Sequence, residues 1–232
     1  MFRRRLLPNG GKKEMNVELY DNPRCIVFND IFDDKTNKAI LDEAIKNKRF
    51  FTLGEIGSGK AGTVEKDFRS NMSCNFDKLY KNRRKKSALL SAIAGLFQNN
   101  TEFSEIVSCA GYPFCDFIGT TTYETRVSRY GDKGQKFKWH VDRLGANRSR
   151  RISVVYHFFK TPIKFTGGEL VLSNGLICDG KLLAGRTPYK FPPKNNRMFV
   201  FAATTPHCVN STSSPREWAD GRFSLNCWVG FR

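Results

Sequence analysis

The chain lacks the marks of several large protein classes. No stretch approaches the roughly 18 consecutive apolar residues of a membrane span, so no membrane partner is expected. The opening residues, MFRRRLLPNGGKK, are basic but contain no apolar signal core. Pro8, Gly10 and Gly11 would break the helix that a mitochondrial presequence needs. The expectation is a flexible basic tail over residues 1–15. The seven cysteines, at 25, 74, 109, 115, 178, 208 and 227, are odd in number and form no CxxC pair. That argues against a disulfide framework or structural zinc, and for reduced thiols in a cytoplasmic protein. Acidic residues are few: 22 Asp and Glu face 39 Lys and Arg, for a net charge of +17. Clusters lie at Arg3 to Arg5, at Arg83 to Lys86, and at Arg148, Arg150 and Arg151. Any one cluster is accounted for as a solvated surface. Together they attract polyanions over a screening length of about 8–10 Å, so nucleic acid or an acidic partner stays in view. No zinc finger or RNP pattern supports the nucleic-acid option.

What is present is a packable chain. Hydrophobic residues make up 40% and aromatics 13%, enough for a core in a domain of 232 residues. Asp33–Asn47 reads as a helix, with Asp33 or Asp34 as cap and Ile40, Leu41, Ala44 and Ile45 as its apolar stripe. A second helical region is expected over about 76–97. Gly54–Asn71 between them reads as a glycine-rich loop. Its Gly54-x4-Gly59-Lys60 imitates a phosphate-binding loop, but Ala61 stands where Ser or Thr would hold Mg²⁺ and no βαβ unit surrounds it. From Thr120 the character changes to short β-branched and aromatic runs: TTTYETRVSRY, RRISVVYHFF, GELVLS, RMFVFAA and RFSLNCWVGF. Helices first and strands later point to a mainly β (α+β) fold, with helical support over about 30–100 packed on a barrel or jelly-roll core over about 120–232. Residues 16–232 read as a single domain.

Histidine is scarce, at three residues. Two of them fall in an arresting arrangement. His140 and Asp142, two apart in an extended segment, point to one face. His207 follows the strand RMFVFAA. Two histidines and a carboxylate form a facial triad that holds Fe(II) with open positions. The bland alternative for His207 is a hydrogen-bonded loop or core histidine. In RFSLNCW the alternation puts Arg222, Ser224, Asn226 and Trp228 on one face. A buried arginine is costly without a carboxylate. Arg222 either anchors the far end of 2-oxoglutarate, with Ser224 adding a hydrogen bond, or pairs with an acid of the chain. Arg216 is a rival anchor.

The stretch from about Val127 onward resembles the catalytic domain of the prolyl-4-hydroxylase-like 2-oxoglutarate/Fe(II) dioxygenases. The pieces that carry the resemblance are RYGDKGQKFKWHVD, RISVVYHFF, FTGGELVL, NNRMFVFAATTPHCV and GRFSLNCWV, with DFRSNMS upstream as a segment that folds over the active site. The resemblance implies a double-stranded β-helix, iron held by His140, Asp142 and His207, and 2-oxoglutarate held by Arg222. It also brings Tyr130 and Tyr156 near the cosubstrate; the alternative for each is an ordinary core tyrosine. On the same reading His157 points to the other face of its strand.

Two departures stand out. STSSPREWADG lengthens the interval between His207 and Arg222, and the family's YLN reads YHF here. The implied activity is hydroxylation of an unactivated C–H bond of a prolyl or other residue of a protein or peptide, with Fe(II), 2-oxoglutarate and O2 consumed, ascorbate in support, and succinate and CO2 released. Related halogenases carry a small residue at the carboxylate position, so Asp142 argues for hydroxylation. The alternatives are the same chemistry on a free amino acid, a natural product or nucleic acid, or a non-catalytic binding module. The sequence leaves the substrate and the oligomeric state open.

Overall fold

A computed structural model describes residues 15–55, 64–111, 122–131, 134–144, 147–185, 187–214 and 217–230. The expected tail except Met15, the Gly59-Lys60-Ala61 stretch, Cys115 and Arg216 lie outside the described residues.

The first elements correct the order of helices before strands. A hairpin, β1 (Asn16–Asp21) and β2 (Arg24–Asn29), precedes any helix. Its sequence signal is the turn dipeptide Asn22-Pro23 between two apolar runs. Helix α1 (Asp34–Lys46) follows, capped by Asp33, whose carboxylate accepts from the Thr36 N–H at 2.7 Å. This is the first expected helix, one residue shorter at each end.

After β3 (Thr52–Leu53) and β4 (Met72–Asn75), the second expected helix divides. Helix α2 (Phe76–Tyr80) ends at Lys81, which adopts φ 40°, and residues Lys81–Lys86 form a 3-10 turn. Helix α3 (Ala88–Asn99) starts afresh, with the Ser87 hydroxyl accepting from the Leu90 N–H at 3.1 Å. The run KNRRKK disfavours a continuous helix because its like charges would crowd at i, i+4 spacing. Helix α4 (Thr101–Cys109), capped by Asn100, carries the helical support beyond the expected limit near residue 100.

The rest is strand. In chain order these are β5 (Thr122–Tyr130), β6 (Gln135–His140), β7 (Arg150–Phe158), β8 (Thr166–Gly167), β9 (Leu170–Leu172), β10 (Leu176–Cys178), β11 (Lys181–Ala184), β12 (Tyr189–Phe191), β13 (Arg197–Ala202), β14 (His207–Ser213) and β15 (Arg222–Gly230). The main sheet is antiparallel in the order β1-β2-β13-β7-β15-β5-β4-β3. A smaller antiparallel sheet, β12-β9-β14-β6, lies against it, with β8 added on β14. This is the expected double-stranded β-helix.

The main sheet buries both faces. One face meets the helices: Ile26, Phe28, Tyr156, Met198 and Leu225 pack with Ile40, Ala44, Leu89, Ile93 and Phe103. The other face meets the small sheet through Val27, Val155, Leu170, Leu172, Phe199 and Phe201. Each large apolar side chain so buried contributes about 1.5–3 kcal/mol. The inter-sheet core fills only part of that space, and polar residues line what remains. The six described cysteines form no disulfide. No described helix is long and apolar enough to cross a membrane.

Candidate metal centre

The small sheet, with the segment just after β6, carries all three expected metal ligands. In the β6–β14 pairing, His207 stands directly opposite His140, and their ring centroids are 4.1 Å apart. Asp142 follows β6 by two residues. Its backbone N–H donates to the Ala203 carbonyl at 2.9 Å, which holds the chain close to the start of β14. The His207 Nε2 lies 3.4 Å from one Asp142 carboxylate oxygen and the His140 Nε2 lies 3.9 Å from the other. One donor atom from each residue falls within 4.8 Å of the other two.

The surroundings aim these atoms. His140 Nδ1 donates to the Lys138 carbonyl at 2.8 Å, and His207 Nδ1 donates to the Thr205 carbonyl at 2.9 Å. Each bond fixes the tautomer that leaves Nε2 as a lone-pair donor toward a metal. Ser153 of β7 donates to Asp142 Oδ2 at 2.6 Å, leaving the second oxygen to ligate. Phe137 stacks on His140 at 3.5 Å and limits ring rotation. Burial, and then the neighbouring His207, push the His140 pKa down to about 3, so the imidazole is neutral as ligation requires. Burial alone would raise the Asp142 carboxyl. The two histidines and hydrogen bonds from Ser153 and Trp228 outweigh it and hold the pKa below the usual value. The donor set fits Fe(II): two imidazole nitrogens and one carboxylate on a single side.

The main sheet faces this triad with a cationic pocket. Arg222 is completely buried, in the same cavity as His140, Asp142 and His207. Its guanidinium donates to His157 Nε2 at 2.8 Å and to the Ser224 hydroxyl at 3.4 Å, and lies 5.1 Å from the centre of the Tyr130 ring. Its Nε–H has no partner, and no ion pair joins Arg222 to an acid among the described residues. Burial lowers its pKa to about 10, which still leaves it charged at neutral pH. A buried charge without a counter-ion is several kcal/mol unfavourable. A carboxylate entering the cavity would relieve it.

Tyr130 and Ser224 line the same cavity as Arg222. Tyr130 is buried and held protonated, since burial raises its pKa. The Tyr156 expectation is corrected. Tyr156 lies opposite Leu225 in the β7–β15 register, facing the helices, and its hydroxyl donates to Asn37 Oδ1 at 2.7 Å. It is the ordinary core tyrosine. His157, expected on the far face, lies opposite Ser224 and faces the cavity. Two polar residues, one behind Arg222 and one lining the cavity, were missed as site residues. One is His157. The other is Arg69, from the DFRSNMS segment, which is buried, donates to Asn71 Oδ1 at 2.7 Å and lies 4.6 Å from the Phe137 ring centre. Arg150, expected as part of a basic cluster, is instead committed: it donates to Glu124 at 2.8 Å and stacks on Trp228 at 3.9 Å.

Comparison with known proteins agrees with this geometry. Residues 125–230, which contain all three ligands and Arg222, match the family model of the 2OG-Fe(II) oxygenase superfamily. An uncharacterized PKHD-type hydroxylase of Synechocystis sp. is 34% identical over 109 residues, which is 46% of this chain and 35% of that protein. The match thus spans about a third of that relative's length. Two solved structures share the fold. A prolyl hydroxylase of Trichoplax adhaerens, in complex with a peptide fragment of the hypoxia inducible factor oxygen degradation domain, aligns with TM-score 0.63 and 16% identity, covering 89% of this chain and 83% of that one. A prolyl-4-hydroxylase of Pseudomonas putida aligns with TM-score 0.60 and 17% identity, covering 90% and 93%. The chain thus carries, over residues 125–230, a segment similar to the 2OG-Fe(II) oxygenase superfamily, on a fold shared with the two prolyl hydroxylase structures.

Proposed function

We propose that this protein hydroxylates an unactivated C–H bond on a residue of a protein substrate, converting 2-oxoglutarate and O2 to succinate and CO2. The observation that carries the reading is Arg222: a buried cation with an unpartnered Nε–H, facing the His140–Asp142–His207 triad across one cavity. Iron(II), 2-oxoglutarate and O2, when bound, supply the oxidising chemistry that inserts oxygen into the C–H bond.

The chain's own residues prepare that chemistry. His140, His207 and Asp142 would hold the metal, each oriented by the hydrogen bonds described above. Arg222 would bind the distal carboxylate through its guanidinium fork, while Ser224 and His157 keep that fork in place. Tyr130 packs its ring on the guanidinium and keeps its proton, so it donates a hydrogen bond rather than opposing a carboxylate. Phe137, Val155 and Leu170 line the same cavity and exclude water from it.

A second groove supports a polypeptide substrate. It is lined by Tyr123, Glu124, Ser149 and Arg150, and it shares Trp228 with the metal cavity. An aromatic wall beside fixed polar groups suits a side chain presented on an extended backbone. The test is iron- and ascorbate-dependent succinate production by the purified protein, together with mass spectrometry of peptides from cells with and without it. Peptides carrying one added oxygen only when the protein is present are expected. Absence of iron-dependent 2-oxoglutarate turnover would overturn the enzyme reading. Turnover with oxygen added only to small molecules or nucleic acid would overturn the protein substrate.

A further inference from the structure

On the helix-covered side of the main sheet, away from the metal cavity, the chain builds a basic face that the chemistry above does not use. Asn47 closes α1 and donates to the Tyr80 hydroxyl at 3.2 Å, at the end of α2. That bond joins the end of α1, just before Lys48 and Arg49, to the end of α2, just before the Lys81–Lys86 turn. Lys48, Arg49, Lys81, Arg83, Lys85 and Lys86 are all exposed. None of the six is ion-paired with a described residue.

Two nearby acids are turned inward, and the exposed Asp42 pairs with Lys38. Asp77 pairs with Arg84 and accepts from the Thr125 N–H, and Glu43 accepts from the Leu89 N–H at 2.9 Å. Nothing in these two segments balances the outward cations. An apolar ring also stands among them. Phe50 is 40% exposed, and the Arg49 guanidinium lies 4.7 Å from its ring centre.

We propose that this face, formed by Lys48, Arg49, Phe50 and the Lys81–Lys86 turn, docks single-stranded nucleic acid. Cations spaced along a surface neutralise successive phosphates, and an exposed aromatic gives an unpaired base a stacking partner. The aromatic adds a stacking partner for an unpaired base to what charge alone supplies. The face lies across the main sheet from the cavity, so docking recruits the enzyme to a nucleoprotein and does not enter the reaction.

The experiment is fluorescence anisotropy of a labelled oligo-dT with the full chain over a salt series. The wild-type protein binds with a steep salt dependence. Replacing Lys81, Arg83, Lys85 and Lys86 together by Gln weakens binding at least tenfold and flattens the log–log salt slope by up to about 3. Phe50→Ala weakens binding by about tenfold while keeping the slope. Both variants keep the wild-type melting temperature and 2-oxoglutarate turnover. Retention of full affinity in the quadruple Gln variant overturns the proposal. So does complete loss on replacing Arg3, Arg4 and Arg5, which would assign binding to those residues. Equal affinity for polyglutamate or phosphatidylserine vesicles also overturns it, because bases would then contribute nothing.

Discussion

Arg222 is the residue on which the cosubstrate reading turns, and its surroundings make a sharp expectation. Losing a charged hydrogen bond costs about 1.5–3 kcal/mol, so Arg222→Ala should raise the KM for 2-oxoglutarate roughly tenfold to more than a hundredfold. Metal affinity, read by anaerobic Fe(II) titration, should stay near wild type. His140→Ala and His207→Ala should do the reverse, losing most Fe(II) affinity and all turnover, because the remaining ligands hold the ion poorly against water. His157 offers a finer test. Its Nε2 accepts from Arg222, so His157→Leu should raise the KM for 2-oxoglutarate with little change in Fe(II) affinity. His157→Gln, which restores an acceptor, should recover part of the loss. An unchanged KM in the Leu variant would leave His157 a packing residue only. These residues differ in how readable they were. His140, Asp142, His207 and Arg222 were legible because metal and carboxylate chemistry admit few side-chain types. His157 and Tyr156 were assigned to the wrong faces because no chemistry at that position marks which side is wet.

The strand β7 explains that exchange. Its burial runs unbroken from Ile152 to Phe158, because helices cover one face and the small sheet the other. A strand buried on both sides carries no alternation from which to read its faces. In β15 the polar series Arg222, Ser224 and Asn226 did mark the cavity side, and that reading holds. The hairpin β1–β2 was missed for a different reason: its two runs are only six residues each, and β2 is buried by its pairing with the distant strand β13, which the local sequence does not show. Short glycine positions matter here too. Gly168 has φ 77°, and an added Cβ would lie 2.6 Å from Arg222 Cδ and 2.8 Å from Thr212 Oγ1. Gly168→Ala should therefore strain the β8–β9 connection and displace the guanidinium. The expected loss is about 1–3 kcal/mol of stability by denaturant titration, with a raised KM for 2-oxoglutarate. A stable variant with wild-type KM would show that the connection moves aside freely.

At the scale of the whole molecule, the buried histidines make stability depend on pH. Burial pushes the pKa of His157 well below its ordinary value, with the charge of Arg222 adding to the effect, and that of His140 to about 3. Both are neutral when folded and take up protons when unfolded near pH 6.5. The unfolded state therefore binds more protons, and metal-free stability should fall as pH drops below about 6.5. Each such histidine adds a slope of up to about 1.4 kcal/mol per pH unit. Denaturant titrations between pH 6.5 and 4.5 should give a slope shallower by about one proton in His157→Gln. An identical slope would mean that His157 is already protonated in the folded protein.

The two sheets divide the labour of the centre. His140, Asp142 and His207 stand on or beside β6 and β14, whereas Arg222, Ser224, Tyr130 and His157 stand on β15, β5 and β7. A molecule that touches the metal with one end and Arg222 with the other is thus a rivet through the sandwich. Metal alone fastens only one plate, and the dicarboxylate alone grips only the other. Their stabilising effects should exceed the sum of the separate ones, since each ligand presents the second with a gap already set to its length. Melting curves under anaerobic conditions, with Fe(II), 2-oxoglutarate and both, would register that excess as a cooperative shift. In Arg222→Ala the rivet has no head, and the excess should vanish while the increment from metal alone persists.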